Sequence, residues 1–276
     1  MGAGAGAGAP RTGGHHVMTA RAVDFNSDLG EAFGAHRVGH DEELFDLVSS
    51  ANVACGFHGG DPRVMERTVA ECAARGIGVG AHPGFPDLVG FGRREINATA
   101  DEVRTDVLYQ LGALDAFCRA AGVVMQHVKA HGALYNAAVK DDALAAAIAA
   151  AVRAHDPGLV MLAQPGTRLF AAAVAAGLPT AREGFVDRAC NADGTLVSRR
   201  LPGAVITDPD VAAERALRLV TEGRLTTIDG QEIAVEVDSL CLHSDTPGAV
   251  AIARAVRRRF AEAGVAVRPF GRLAPA

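Results

Sequence analysis

From residue 22 onward, short apolar runs rich in β-branched residues alternate with longer stretches whose apolar positions recur at helical spacing. "AVDFN" precedes an amphipathic segment at 41–49, "ANVACG" one at 62–74, "GIGVGAH" one at 99–121 and "VVMQHVKAH" one at 141–154. "LVMLAQ", "TAREGFVD" and "SLCLHSD" lead into segments at 167–176, 210–222 and 247–263, and "VAVRPF" closes the series. Strands that alternate with helices pair in parallel. Seven or eight such units over about 250 residues predict an α/β fold closed as one (β/α) barrel, with a doubly wound sheet as the alternative that periodicity leaves open.

The opening stretch, "MGAGAGAGAPRTGGHHVMTARA", has no such pattern and no apolar core of a secretory signal. It reads as a disordered tail over 1–20 ahead of a single catalytic barrel over 21–276, with His15 and His16 as passengers. At 49% hydrophobic over 276 residues the chain can bury a sizeable core. The net charge of -5, with "RAVRRRF" at 254–260 the main basic cluster and readable as a helix's solvated face, argues against a nucleic-acid partner. No window reaches the roughly 18 apolar residues of a membrane span. Five cysteines without a CxxC pair point to a reducing, cytoplasmic compartment.

Polar residues recur where the strands end. Asp24, Asn26 and Asp28 follow the first run, Asn52 and His58 the second, His82 the third, and Lys129 and His131 the fourth. Gln164, then Glu183 and Asp187, then His243 and Asp245, follow the later ones. In parallel α/β folds these ends converge on one mouth. Residues i and i+2 of a strand share a side, so His127, Lys129 and His131 are expected to face the same way.

A single polar residue at a strand end often caps the next helix; Asp61 before Pro62, Thr246 before Pro247, Asp101, and the pair Asp141 and Asp142 suit that role. Capping does not require six of seven strand ends to carry Asp, His, Lys or Glu. The second of the two lysines, Lys140, is expected at the surface. Asp24, Asp28, His82 and His131 are candidate metal ligands, and Asp28, Glu31, Glu183 and Asp187 could supply paired carboxylates. G-x-S-x-G, H-E-x-x-H and Walker A signatures are absent.

Six blocks, "VDFNSDLGEAFG", "SANVACGFHGGDP", "GVGAHPGFPDLVGFGRRE", "VKAHGALYN", "REGFVDRACNADGTLVSRRLPGAVI" and "LCLHSDTPGAV", occur in this order between residues 23 and 250. They resemble the signature blocks of the LamB/YcsF family, the A subunits of prokaryotic ATP-dependent 5-oxoprolinases. The resemblance implies a distorted TIM-like barrel of the glycoside hydrolase/deacetylase type. It also implies opening of the 5-oxo-L-proline lactam to L-glutamate with hydrolysis of ATP, ATP with Mg²⁺ as cofactor, and partner subunits B and C.

Such chemistry needs cations for a developing anion and groups that move protons. The expected catalytic set is Asp28, His82, Lys129, His131, Glu183 and His243. The expected substrate-binding set is Asp24, Asn26, Asn52, His58, Arg93, Asp187 and Asp245. Two other readings are a metal-dependent carbohydrate deacetylase and a non-catalytic barrel that binds a ligand or scaffolds its partners.

Overall fold

The computed structural model describes residues 22–271; the low-complexity tail with His15 and His16 lies outside the described residues. In chain order the elements are β1 (Ala22–Leu29), α1 (Asp41–Leu44), β2 (Ser50–Ala54), α2 (Pro62–Arg75), β3 (Gly78–His82) and α3 (Ala100–Ala120). Next come β4 (His127–Val128), α4 (Gly132–Ala138), α5 (Asp142–His155), β5 (Val160–Ala163), α6 (Arg168–Ala175) and β6 (Thr180–Phe185). Last are α7 (Pro209–Glu222), β7 (Arg224–Thr226), β8 (Glu232–Ala234), β9 (Ser239–Leu242), α8 (Ala249–Glu262) and β10 (Ala266–Val267).

β1 through β6 pair side by side, and β9 pairs with both β6 and β1, so seven parallel strands close a barrel. β10 adds to the start of β1. Closure selects the barrel over the doubly wound sheet. β7 and β8 form an antiparallel hairpin outside the ring, an element the periodicity did not indicate. The amphipathic run expected at 41–49 is one short turn at 41–44, and α4 follows directly on the stretch that carries Lys129 and His131.

The helices bury Leu, Val, Ala and Ile faces against the outside of the ring, in a core that takes in Phe25, Leu111, Ile148, Leu219 and Phe260. On β1 the alternation is reversed in meaning: Phe25 and Leu29 join that core, while Asp24, Asn26 and Asp28 bond to partners across the lumen. The strand runs on to Leu29, so Asp24 and Asn26 sit inside the barrel, below its rim. Gly80, opposite His127 in the β3–β4 ladder, leaves room for an inward imidazole; a Cβ there would run into the His127 ring.

Helix starts follow the local chemistry. Asp61 caps α2 through the Arg63 and Val64 amides with Pro62 in the first turn, and Asp141 caps α5. Thr246 is not a cap: α8 begins after Gly248, and the Thr246 hydroxyl donates to Asp187 instead. Asp101 lies in the first turn of α3, whose cap is Thr99, paired with Glu102 in a capping box.

Candidate active site

A cavity of about 560 Å³ opens at the carboxyl ends of the strands, within the roughly 300 to 1,000 Å³ of small-molecule sites. Asp28, His82, Lys129, His131 and His243 line it together with Arg93. Lys129 is its centre of charge. The ammonium Nζ lies 3.0 Å from Asp28 Oδ1 and 2.9 Å from Cys241 Sγ. It also lies 2.9 Å from Glu183 Oε1, an ion-pair contact that lacks hydrogen-bond alignment and leaves that oxygen without a donor.

Burial alone would drive Lys129 toward the neutral amine, yet Asp28, Cys241 and Glu183 hold its pKa well above the ordinary lysine value. Burial likewise pushes Asp28 up, but His82 and Lys129 outweigh it and keep that carboxyl well below the usual range. Glu183 goes the other way: burial raises it, and Lys129 only partly offsets the shift. Its Oε2 accepts from the Tyr135 hydroxyl at 3.2 Å. The two carboxylates around one ammonium are thus unequal, Asp28 held as the anion and Glu183 closer to taking a proton.

His243 Nδ1 donates to Asp187, 3.0 Å from each carboxylate oxygen, which leaves Nε2 as the ring nitrogen that this carboxylate does not engage. His243 lines the cavity, and its ring stacks on Phe185 at 5.9 Å. Arg93 pairs with Asp245 at 2.7 Å at the rim. On the opposite wall His82 Nδ1 bonds to the Lys129 carbonyl at 2.8 Å and His131 Nε2 to the Phe91 carbonyl at 2.8 Å. His58 stacks behind His131, rings 3.7 Å apart and 3° from parallel. Burial lowers both His58 and His131 well below the usual histidine pKa.

Glu183 borders a neighbouring cavity of about 430 Å³. Asp24, Asn26 and Asn52 do not reach the mouth. Asp24 accepts from Ser49 and Ser239, Asn52 bridges Asn26 and Asp28, and His127 Nε2 meets Asn52 Oδ1 at 2.7 Å. His127, Lys129 and His131 therefore do all point inward, on different levels of one polar lumen. Among the candidate metal ligands, Asp24 joins neither group of convergent donors, which are Glu31 with His58, His82 and His131, and Asp28 with Cys241 and His243.

Sequence reasoning passed over Arg188, Arg199 and Arg200, which the irregular stretch between β6 and α7 brings to the cavity, and Lys140 also reaches its rim while remaining exposed. Buried Arg188 leaves Nε without a partner. A signal was present in "VSRRLPG", a basic pair in a turn-rich run, but nothing local says that the run folds over the mouth.

A parallel barrel whose strand ends gather a buried ammonium, unequal carboxylates and an oriented imidazole around one cavity has the construction of an acid–base barrel enzyme. Comparison gives the particular lineage: the chain belongs to the LamB/YcsF family, whose sequence model matches residues 23–274. It is 54% identical over 246 residues to the 5-oxoprolinase A subunit of Heliobacterium modesticaldum, covering 89% of this chain and 97% of that one. The 5-oxoprolinase A subunit of Thermus thermophilus is 54% identical over 248 residues, covering 90% and 99%. The crystal structure of the lactam utilization protein from Thermus thermophilus superposes with a TM-score of 0.87 at 53% identity, covering 90% of this chain and all of that one.

Proposed function

We propose that this chain is the A subunit of an ATP-hydrolysing 5-oxoprolinase, a hydrolase that opens the lactam of 5-oxo-L-proline to L-glutamate in the cytoplasm together with subunits B and C. The observation that carries this reading is the 54% identity to a 5-oxoprolinase A subunit along 97% of its length. The five buried, unpaired cysteines suit a reducing compartment. No helix among the described residues is long and apolar enough to cross a membrane.

A five-membered lactam is a stable amide, and opening it requires charge stabilisation at oxygen and a proton for the departing nitrogen. Lys129, pinned between Asp28 and Glu183, presents a preorganised positive charge to the cavity for the developing oxyanion. Asp28 stays ionised and fixes the ammonium. His243, held by Asp187 through Nδ1, can take a proton from water at Nε2 and return it to the leaving nitrogen. Glu183, with its raised pKa, is the second group able to carry a proton. When bound, ATP with Mg²⁺ supplies phosphoryl activation of the lactam oxygen. The donors on this chain that fit phosphate are Arg199, Arg200 and Lys140 at the rim and the unpartnered Nε of Arg188.

The test is reconstitution: glutamate released from 5-oxoproline with ATP and Mg²⁺, measured for this chain with and without subunits B and C. Activity is expected only in the mixture, because the chain has no Walker A loop. Glutamate formed in proportion to this chain alone would refute the division of labour. The deacetylase reading has one observation in its favour, the cluster of three histidines and a glutamate. Nucleotide-independent cleavage of an acetylated sugar amide would favour it.

A further inference from the structure

We propose that Glu31, His58, His82 and His131 form a binding site for one divalent first-row transition-metal ion in the wall of the cavity. The proposal rests on side-chain geometry and is independent of the lactam reading. The four ligand atoms lie within 4.8 Å of one another, all on buried residues. Glu31 Oε1 is 3.2 Å from His58 Nε2 and 3.4 Å from His131 Nδ1, and His131 Nδ1 is 2.9 Å from His82 Nε2. Ligands of a tetrahedral ion with bonds of roughly 2.0 to 2.1 Å stand about 3.3 Å apart. The three separations scatter around that edge.

Proton positions give the second argument. Only an N–H can bond a carbonyl, so His82 carries its proton on Nδ1, toward Lys129, and His131 on Nε2, toward Phe91. Their other nitrogens, His82 Nε2 and His131 Nδ1, then face each other at 2.9 Å, with Asp28 Oδ1 3.4 Å from His82 Nε2. A proton or a metal ion between them would hold that contact together. A proton shared by this pair, with an N–H of His58 Nε2 donating to Glu31, is the alternative to an ion. A metal ion accounts for all four, and a second ring nitrogen bonded to a backbone carbonyl is how ligating histidines are ordinarily oriented.

The surroundings hold these rings in place. Gly92, at φ +63°, presses its backbone against the cluster so closely that a Cβ would come within 2.6 Å of His58 Cβ and 2.8 Å of His131 Cδ2. His82 and His131 also line the cavity, which gives an ion a route in. The other convergent group, Asp28 with Cys241 and His243, is different, since the Lys129 ammonium already lies 3.0 Å from Asp28 and 2.9 Å from Cys241. Three imidazoles and one carboxylate suit Zn²⁺, Co²⁺, Ni²⁺, Fe²⁺ or Mn²⁺ and not the all-oxygen preference of Mg²⁺. This site is therefore distinct from that of a nucleotide's Mg²⁺.

The experiment uses the purified full chain, stripped with a chelator and titrated with Zn²⁺ and Co²⁺ by calorimetry and absorption, alongside elemental analysis of protein as isolated. We expect saturation at about one ion per chain and visible Co²⁺ bands of a nitrogen-rich site. Glu31→Gln and His58→Ala, whose folding is checked by circular dichroism, should weaken Co²⁺ binding by at least about 100-fold, beyond the 10- to 100-fold of losing an outer-shell partner. Should either variant fail to fold, histidine ¹⁵N shifts of the unaltered chain on adding Zn²⁺ replace it, with three rings expected to move. Absence of saturable binding by the unaltered chain, binding retained by the folded variants, or unmoved ring nitrogens would each overturn the proposal in favour of a shared proton.

Discussion

At the scale of single residues, Lys129 holds together a site that its own removal would expose. Replacing it with Ala leaves Asp28 and Glu183 buried at 4% and 0% exposure without their cation, which costs about 3 to 5 kcal/mol. It also removes a preorganised charge, so turnover of the reconstituted enzyme should fall by on the order of 10² to 10³ per folded molecule. The double change Lys129→Ala with Asp28→Asn separates the two effects. Denaturation should show part of the stability restored, while turnover stays low. Full activity per folded molecule in Lys129→Ala would make the lysine purely structural. Lys129 and His131 were legible as a pair because a rare ammonium beside an imidazole at a strand end is conspicuous. Their true neighbours, Cys241 and Glu31, are respectively 112 and 100 residues away in the chain, and no local pattern links them.

At the scale of elements, capping chemistry was readable wherever the first turn was local. Asp61 accepts from the Arg63 and Val64 amides and from the Gly34 amide. Asp61→Ala should therefore lower unfolding stability by about 1 to 2 kcal/mol, read from the urea midpoint, with little change in turnover. A shift below a few tenths would mean that water replaces the cap. Thr246 misled because the Thr-Pro pair looks like a helix start, while its hydroxyl is claimed by Asp187, which lies 59 residues away. The β7–β8 hairpin and α4 were not legible, being too short for a period to register.

For the molecule as a whole, the polar lumen makes pH dependence a sum of opposing parts. Burial raises Asp24 from 3.8 to about 6 despite bonds from Ser239, Ser50 and Ser49. Between about pH 4 and 6 the folded protein keeps a proton there that the unfolded chain has lost, so this residue makes stability fall as pH rises. His127 acts in the opposite sense. Burial lowers it from 6.5 to about 3, so the unfolded chain takes up a proton first and stability falls as pH drops below 6.5. The two slopes overlap and mask each other in the intact protein. Asp24→Asn uncovers them: from pH 4 to pH 7 the variant should gain roughly 2 kcal/mol relative to the parent, by urea denaturation at each pH. A difference that does not change with pH would contradict the raised Asp24 value.

By itself the sequence determined the alternation of strands and helices, the parallel barrel class, the family and most of the residues gathered near the mouth. Those depend on periodicity, caps and motif blocks, which are properties of neighbouring residues. Tertiary structure alone decided the level at which each polar side chain sits. Asp24, Asn26 and Asn52 became a buried network below the rim because β1 extends to Leu29. Glu31 joined the three histidines because a loop after β1 meets residues from the ends of β2, β3 and β4. Arg188, Arg199 and Arg200 reached the cavity because a long irregular segment folds over it. Each of these depends on where the closed ring places distant segments, and ring closure is a property of all seven strands at once.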